Sequence, residues 1–127
     1  MKKIVFPMVV ALVATFAFVS CGNKDLTDEQ LIEKIEKTGT YVGSDNDTQP
    51  AAVTANFAKS TFALAYDDVA YGAFTGTWTV TDGALVLTNV VYSINPNVTL
   101  DQIGTINNNG KELIITSGTI EFTLAAK

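Results

Sequence analysis

Between Thr40 and the carboxyl end of the chain, apolar and polar residues alternate with a period of two, as in strands that bury one face. Val53, Ala55 and Phe57 alternate, and Phe62, Leu64 and Tyr66 alternate again after Ala58-Lys59-Ser60. Asp82-Gly83 suits a two-residue type I′ hairpin, which needs left-handed backbone at both positions. That turn pairs Val80 with Leu85 and Trp78 with Leu87 on one face, and puts Thr77, Thr79 and Thr81 on the other. Asn109-Gly110 likewise pairs Ile106 with Leu113, and Ser117-Gly118 pairs Ile115 with Ile120 and Leu113 with Phe122. A slip of one residue would turn each apolar set outward, so turns and alternation support one another.

The pattern predicts about eight strands, over 40–43, 51–57, 61–66, 73–80, 84–92, 98–106, 111–117 and 119–125. Every connection is short, and no helical pattern separates the strands, so parallel crossovers are not expected. The fold class is all-β: an antiparallel up-and-down meander that closes into a small barrel. A two-sheet sandwich is the alternative. One short helix, 28–38, precedes the meander. Thr27 and Gln30 have the spacing of a capping box, Leu31, Ile32 and Ile35 form a narrow apolar stripe, and Gly39 is a natural stop.

The amino-terminal pattern is different. Lys2-Lys3 is followed by an uncharged run from Ile4 to Val19 and then by Ser20-Cys21-Gly22. A basic start, an apolar stretch and small residues at a cut site form the layout of an export signal. The rival is a membrane-spanning helix, which needs roughly 20 apolar residues; this run contains Pro7 and is shorter. Phe18-Val19-Ser20-Cys21 resembles the lipobox of bacterial lipoproteins. The resemblance implies cleavage before Cys21, acylation of its sulfur, and attachment to a membrane through the acyl chains. It divides the chain into a signal peptide (1–20), a lipidated anchor and linker (21–27), the helix (28–38) and the barrel (39–127). The residues after Cys21 lack the Asp that retains some enterobacterial lipoproteins at the inner membrane, so the outer membrane of the cell envelope is the expected location.

Charge narrows the function further. The chain has 8 basic residues, all Lys, against 13 acidic ones, and no His. Loss of Lys2 and Lys3 with the signal would lower the net charge from −5 to −7. A nucleic-acid partner is not expected, because no basic stripe exists to displace counterions. Without His there is no Ser-His or Cys-His nucleophile and no His–Cys zinc site. Acid–base work would fall to Asp, Glu, Lys or Tyr, and the sequence shows no catalytic constellation of these, so neither catalysis nor a metal or other cofactor is expected.

The β region, roughly 39–124, resembles the lipocalin-like domains found in bacterial lipoproteins. Gly39-Thr40-Tyr41 resembles their opening G-x-W motif with Tyr at the Trp position. Phe74 to Val80, Asp82-Gly83 and Leu85 to Thr88 resemble their central hairpin. The resemblance implies a small apolar ligand held inside the barrel. The inner face by parity carries Phe57, Phe62, Leu64, Tyr66, Phe74, Trp78, Leu85, Leu87, Val91, Ile106, Leu113, Ile115 and Phe122. Two polar residues fall on the same face, Asn89 beyond Leu87 and Gln102 in phase with Leu100 and Ile106. Trp78, Tyr66, Phe74, Leu87, Asn89 and Gln102 are therefore the candidate ligand-binding residues. The alternative is a filled interior in a protein-interaction or inhibitor module.

Asp45-Asn46-Asp47-Thr48-Gln49 has acids at alternate positions like the start of a calcium loop, but Pro50 and Asn56 stand where the turn glycine and bidentate Glu belong. It is read as a solvated turn. Asp67 and Asp68 are adjacent on an extended chain and point to opposite sides, so they are read as loop charges, not a proton-sharing pair.

Overall fold

A computed structural model describes residues 26–127. The expected signal segment (1–20), Cys21 and most of the expected linker lie outside the described residues. Helix α1 (Asp28–Thr38) leads into eight strands: β1 (Thr40–Ser44), β2 (Ala52–Phe57), β3 (Thr61–Tyr66), β4 (Ala73–Thr81), β5 (Ala84–Tyr92), β6 (Ile103–Asn107), β7 (Glu112–Ser117) and β8 (Ile120–Ala126). Each strand pairs antiparallel with the next, and β8 returns to β1 to close the barrel. The closing seam pairs Thr123 with Ser44, Leu124 with Gly43, Ala125 with Val42 and Ala126 with Tyr41. The expected meander is thus present as a barrel, not a sandwich.

At the Asp82-Gly83 hairpin both residues are left-handed (φ 52° and 77°). The register pairs Val80 with Leu85 and Trp78 with Leu87, as the alternation requires. Ile106 also pairs with Leu113, although the turn between them spans 108–111 and uses left-handed backbone at Asn108, Asn109 and Gly110. The last hairpin departs from expectation. Ile120 pairs with Ser117 and Phe122 with Ile115, so the turn is Gly118-Thr119. The shift is two residues, which keeps Phe122 and Leu124 facing inward but carries Ile120 out to the rim.

The strands run between two unlike ends. Helix α1 closes one of them. Its capping box is formed, with the Thr27 amide donating to Gln30 Oε1 (3.0 Å) and the Gln30 amide to Thr27 Oγ1 (3.1 Å). Leu31 and Ile35, one turn apart, are fully buried in the barrel core; each contributes about 1.5–3 kcal/mol on an area basis. The Asp28 carboxylate ties the helix start to the β4–β5 turn, accepting from the Asp82 amide (2.9 Å) and the Gly83 amide (2.8 Å). Tyr41, fully buried, donates its hydroxyl to the Gly110 carbonyl of the β6–β7 turn. The other end, the mouth, is formed by the ends of β1, β3, β5 and β7 and the starts of β2, β4 and β8. Among the described residues no helix is long and apolar enough to cross a membrane.

Candidate binding site at the barrel mouth

Three of the residues expected to line an internal cavity are packed into the core instead. Trp78 is 5% exposed. Its ring meets Phe57 edge-on at 5.3 Å, and its Nε1 donates to the Ala58 carbonyl (2.8 Å). Phe74 stacks on Tyr92 at 4.4 Å and meets Phe122 edge-on at 6.1 Å. Leu87 is buried in the same cluster. Gly104 is in phase with Gln102 and Ile106, where a missing side chain could leave room for a large ring opposite; the space is instead taken up, because a Cβ there would lie 2.9 Å from the Ile114 carbonyl oxygen and 3.4 Å from Leu85.

Asn89 and Gln102 are not on the inner face; both are exposed. On β4–β5 the pairing runs Thr77 with Thr88 and then Thr75 with Val91, which leaves one extra residue on β5. Asn89 sits in this bulge with φ 54°. Beyond a bulge the parity of a strand inverts. Val90 and Tyr92 therefore pack on the core while Val91 is exposed. Strand β6 begins at Ile103, not at 98, and the chain bends at Gln102. Gln102 keeps a backbone tie, its carbonyl accepting from the Leu87 amide (2.8 Å), but its side chain leaves the barrel. Leu100, upstream of the bend, is buried in the core.

Tyr66, the remaining candidate, stands at the mouth. It borders an open cleft of about 300 Å³ with Asp45, Asp47, Gln49, Ala51, Tyr71, Tyr92 and Ile120. The Tyr66 and Tyr71 rings stand 5.6 Å apart at 71°, so they form a corner. Tyr66 also leans edge-on against Phe122 at 5.9 Å, which ties the corner to the core. The Tyr92 hydroxyl donates to the Tyr71 carbonyl and holds the short Val69–Tyr71 turn in place. Asp45 Oδ1 accepts from the Ala51 amide (2.9 Å) and the Asp47 amide (3.3 Å), which folds the β1–β2 loop over the cleft. Its Oδ2 lies 3.5 Å from the Tyr66 hydroxyl. Burial pushes the Tyr66 pKa up from 10.0 to about 12, and the negative charge of Asp45 acts in the same direction.

Tyr71, Tyr92 and Ile120 are not among the candidate ligand-binding residues that alternation suggests. Tyr71 lies in a loop, Tyr92 follows the bulge, and Ile120 moves to the rim with the shifted hairpin. The one local signal is the spacing of tyrosines around Asp67-Asp68. These two acids act separately: Asp67 accepts from the Thr54 hydroxyl (2.8 Å), and Asp68 caps the short turn through the Ala70 amide (3.0 Å). Among the described residues no group of three or more acidic or Cys side chains is placed to hold a metal ion.

Charge is divided between the two ends. Asp45, Asp47, Asp67, Asp68, Asp101 and Glu121 lie around the mouth. The lysines of the described residues, Lys34, Lys37, Lys59, Lys111 and Lys127, all lie at the helix-closed end, among acids of their own. The chain is thus a closed antiparallel barrel with a packed interior and a tyrosine-walled, acidic cleft at one end. No family model matches it, and neither a curated protein nor a solved structure does.

Proposed function

We propose that the chain is a lipid-anchored, non-catalytic binding module that takes a small ligand with an apolar face at the mouth of its barrel. The observation that carries this reading is the mouth cleft, whose volume of about 300 Å³ stands at the lower end of the range for small-molecule sites. The packed interior moves the expected ligand from the barrel lumen to this rim. The cleft is suited to holding a molecule: Tyr66, with a pKa of about 12, stays protonated at neutral pH and offers a hydroxyl and a ring face, not a base.

The likeness of Phe18 to Cys21 to a lipobox supports the anchor. With Cys21 acylated, residues 22–27 span at most about 20 Å. They lead to the start of α1, which Asp28 ties to the β4–β5 turn at the closed end. The closed end then faces the bilayer and the mouth faces away. Cys21→Ser should abolish acyl labelling and release the protein from the membrane fraction. Retention of the variant on membranes after carbonate washing would refute the acyl anchor in favour of an uncleaved helix. Native mass spectrometry of protein purified from its own cell tests the binding reading: a retained small molecule is expected, lost with Tyr66→Ala, and a mass equal to the bare acylated chain counts against it.

A specific observation also favours the interaction-module reading. Val69 (91% exposed), Ile94 and Val91 stand out from the surface beside Tyr71 near the rim. An exposed apolar set of this kind suits a protein partner. Cross-linking from Val69→Cys that captured one protein and spared the small molecule would select it.

A further inference from the structure

The mouth cleft combines three features that together specify a charge type. Its walls include two tyrosine rings at nearly a right angle, 5.6 Å between centroids. A cation in such a corner lies within about 6 Å of both ring faces, the range in which the ring quadrupole attracts it. Its border carries Asp45 and Asp47, and none of its lining residues is basic. Asp45 is already fixed in position by the Ala51 and Asp47 amides, so its charge is held at the cleft with no rotamer to freeze on binding. The lysines that could neutralise these acids lie at the opposite end of the barrel. An anion would meet an uncompensated acidic rim, and a purely apolar molecule would leave the carboxylates unused while covering them.

We infer that the cleft binds a small organic cation, an alkylammonium head lodged in the corner of the Tyr66 and Tyr71 rings with Asp45 and Asp47 as counter-charges. This rests on the mouth-binding reading above and names the ligand's chemistry. Ile120 and the Ala51 methyl offer apolar surface to the alkyl part. The attraction operates over a short range, and salt weakens its Coulomb part.

The test is a calorimetric titration of the full chain in a non-ionic detergent with two probes of the same shape. One is choline; the other is dimethylbutanol, in which carbon replaces the charged nitrogen. Choline should bind at least about threefold more tightly than the neutral isostere, given the usual strength of a cation–π contact at a solvated site. Tyr71→Leu keeps apolar area but removes a ring face, and should weaken choline about two- to fivefold with little effect on dimethylbutanol. Tyr71 is half-exposed, so the fold should tolerate the change. Asp47→Asn, also on the surface, should weaken choline in low salt and have little effect in high salt. Equal affinity for the two probes would overturn the cationic assignment and leave mouth binding standing. Absence of choline binding would overturn it too, and the native mass measurement would then decide mouth binding by itself.

Discussion

Tyr41→Phe isolates the tie that holds the closed end together. Tyr41 is fully buried where the β1–β8 seam, α1 and the β6–β7 turn meet. Its ring stands edge-on to Phe57 at 5.6 Å, and Phe57 in turn meets Trp78. Phenylalanine keeps that ring and removes one oxygen. The Gly110 carbonyl then loses the hydroxyl it accepts from, at a buried residue packed against Ile35 and Lys34. A typical hydrogen bond contributes about 1 kcal/mol net, and a buried acceptor left unpaired costs about 1–3 kcal/mol, so the variant should lose about 2 kcal/mol. For a domain of this size that lowers Tm by roughly 10 °C. Urea unfolding followed by Trp78 fluorescence measures it directly, because the indole belongs to the same aromatic chain. The midpoint should fall with no change in slope. A loss below about 0.5 kcal/mol would mean that water reaches the Gly110 carbonyl, and the closed end would not be sealed as described.

Two further outcomes follow from particular residues. Asn89 has φ 54° in the β5 bulge, so Asn89→Gly should be neutral in urea unfolding while Asn89→Val loses about 1–2 kcal/mol; equal stability of the two would show that no bulge is required there. Tyr66 has a pKa of about 12 folded and 10.0 unfolded. Between those values the unfolded chain releases a proton that the folded chain keeps, so stability is full below pH 10 and falls as pH rises towards 12. In a dry site the gap would be worth about 2.7 kcal/mol, and solvent at the partly buried ring reduces the expected loss to about 1 kcal/mol. Tyr41, also pushed up by burial, adds a loss of the same sign. Tyr66→Phe should therefore flatten the alkaline stability profile without levelling it; an unchanged profile would refute the assignment.

Alternation carried the barrel because a buried face is written at every second residue, and Asp82-Gly83 set the register where both residues could take left-handed backbone. The pattern is silent about an inserted residue. Asn89-Val90-Val91-Tyr92 offers an apolar side chain in either parity, so the sequence reads equally well with Val91 or Val90 inward. The bulge decides for Val90. The same limit applies to Gly118: a two-residue shift keeps Phe122 and Leu124 inward and moves only Ile120 to the rim, so pairing across the whole barrel selects Gly118-Thr119. Gln102 was misplaced because strand period was extended through a bend. The mouth cleft was hidden for a different reason. Its walls come from the β1–β2 loop, the end of β3, the turn before β4, the end of β5 and the start of β8. These become neighbours only when the seam closes, and no local pattern encodes that meeting.

The position of the cleft also bears on where its ligand comes from. Strand β4, with 9 residues, runs from the mouth to the turn beside α1. At about 3.3 Å per residue and a tilt of 35–45°, the barrel is roughly 20–25 Å tall. The helix and the lysines are at the end to which the leash attaches, so an acylated Cys21 would hold that end at the bilayer and lift the cleft by the full height of the barrel. Head groups of the host membrane would then lie well beyond the corner formed by Tyr66 and Tyr71. The acidic rim would also be carried more than one Debye length, about 8 Å at physiological salt, from an anionic lipid surface. Such a placement would reduce the repulsion that the net charge of a chain cleaved before Cys21 would otherwise cause, because the closed end is nearly balanced in charge. It leaves the cleft open to solutes, so an ammonium ligand would be drawn from the aqueous phase and not from the leaflet that carries the anchor.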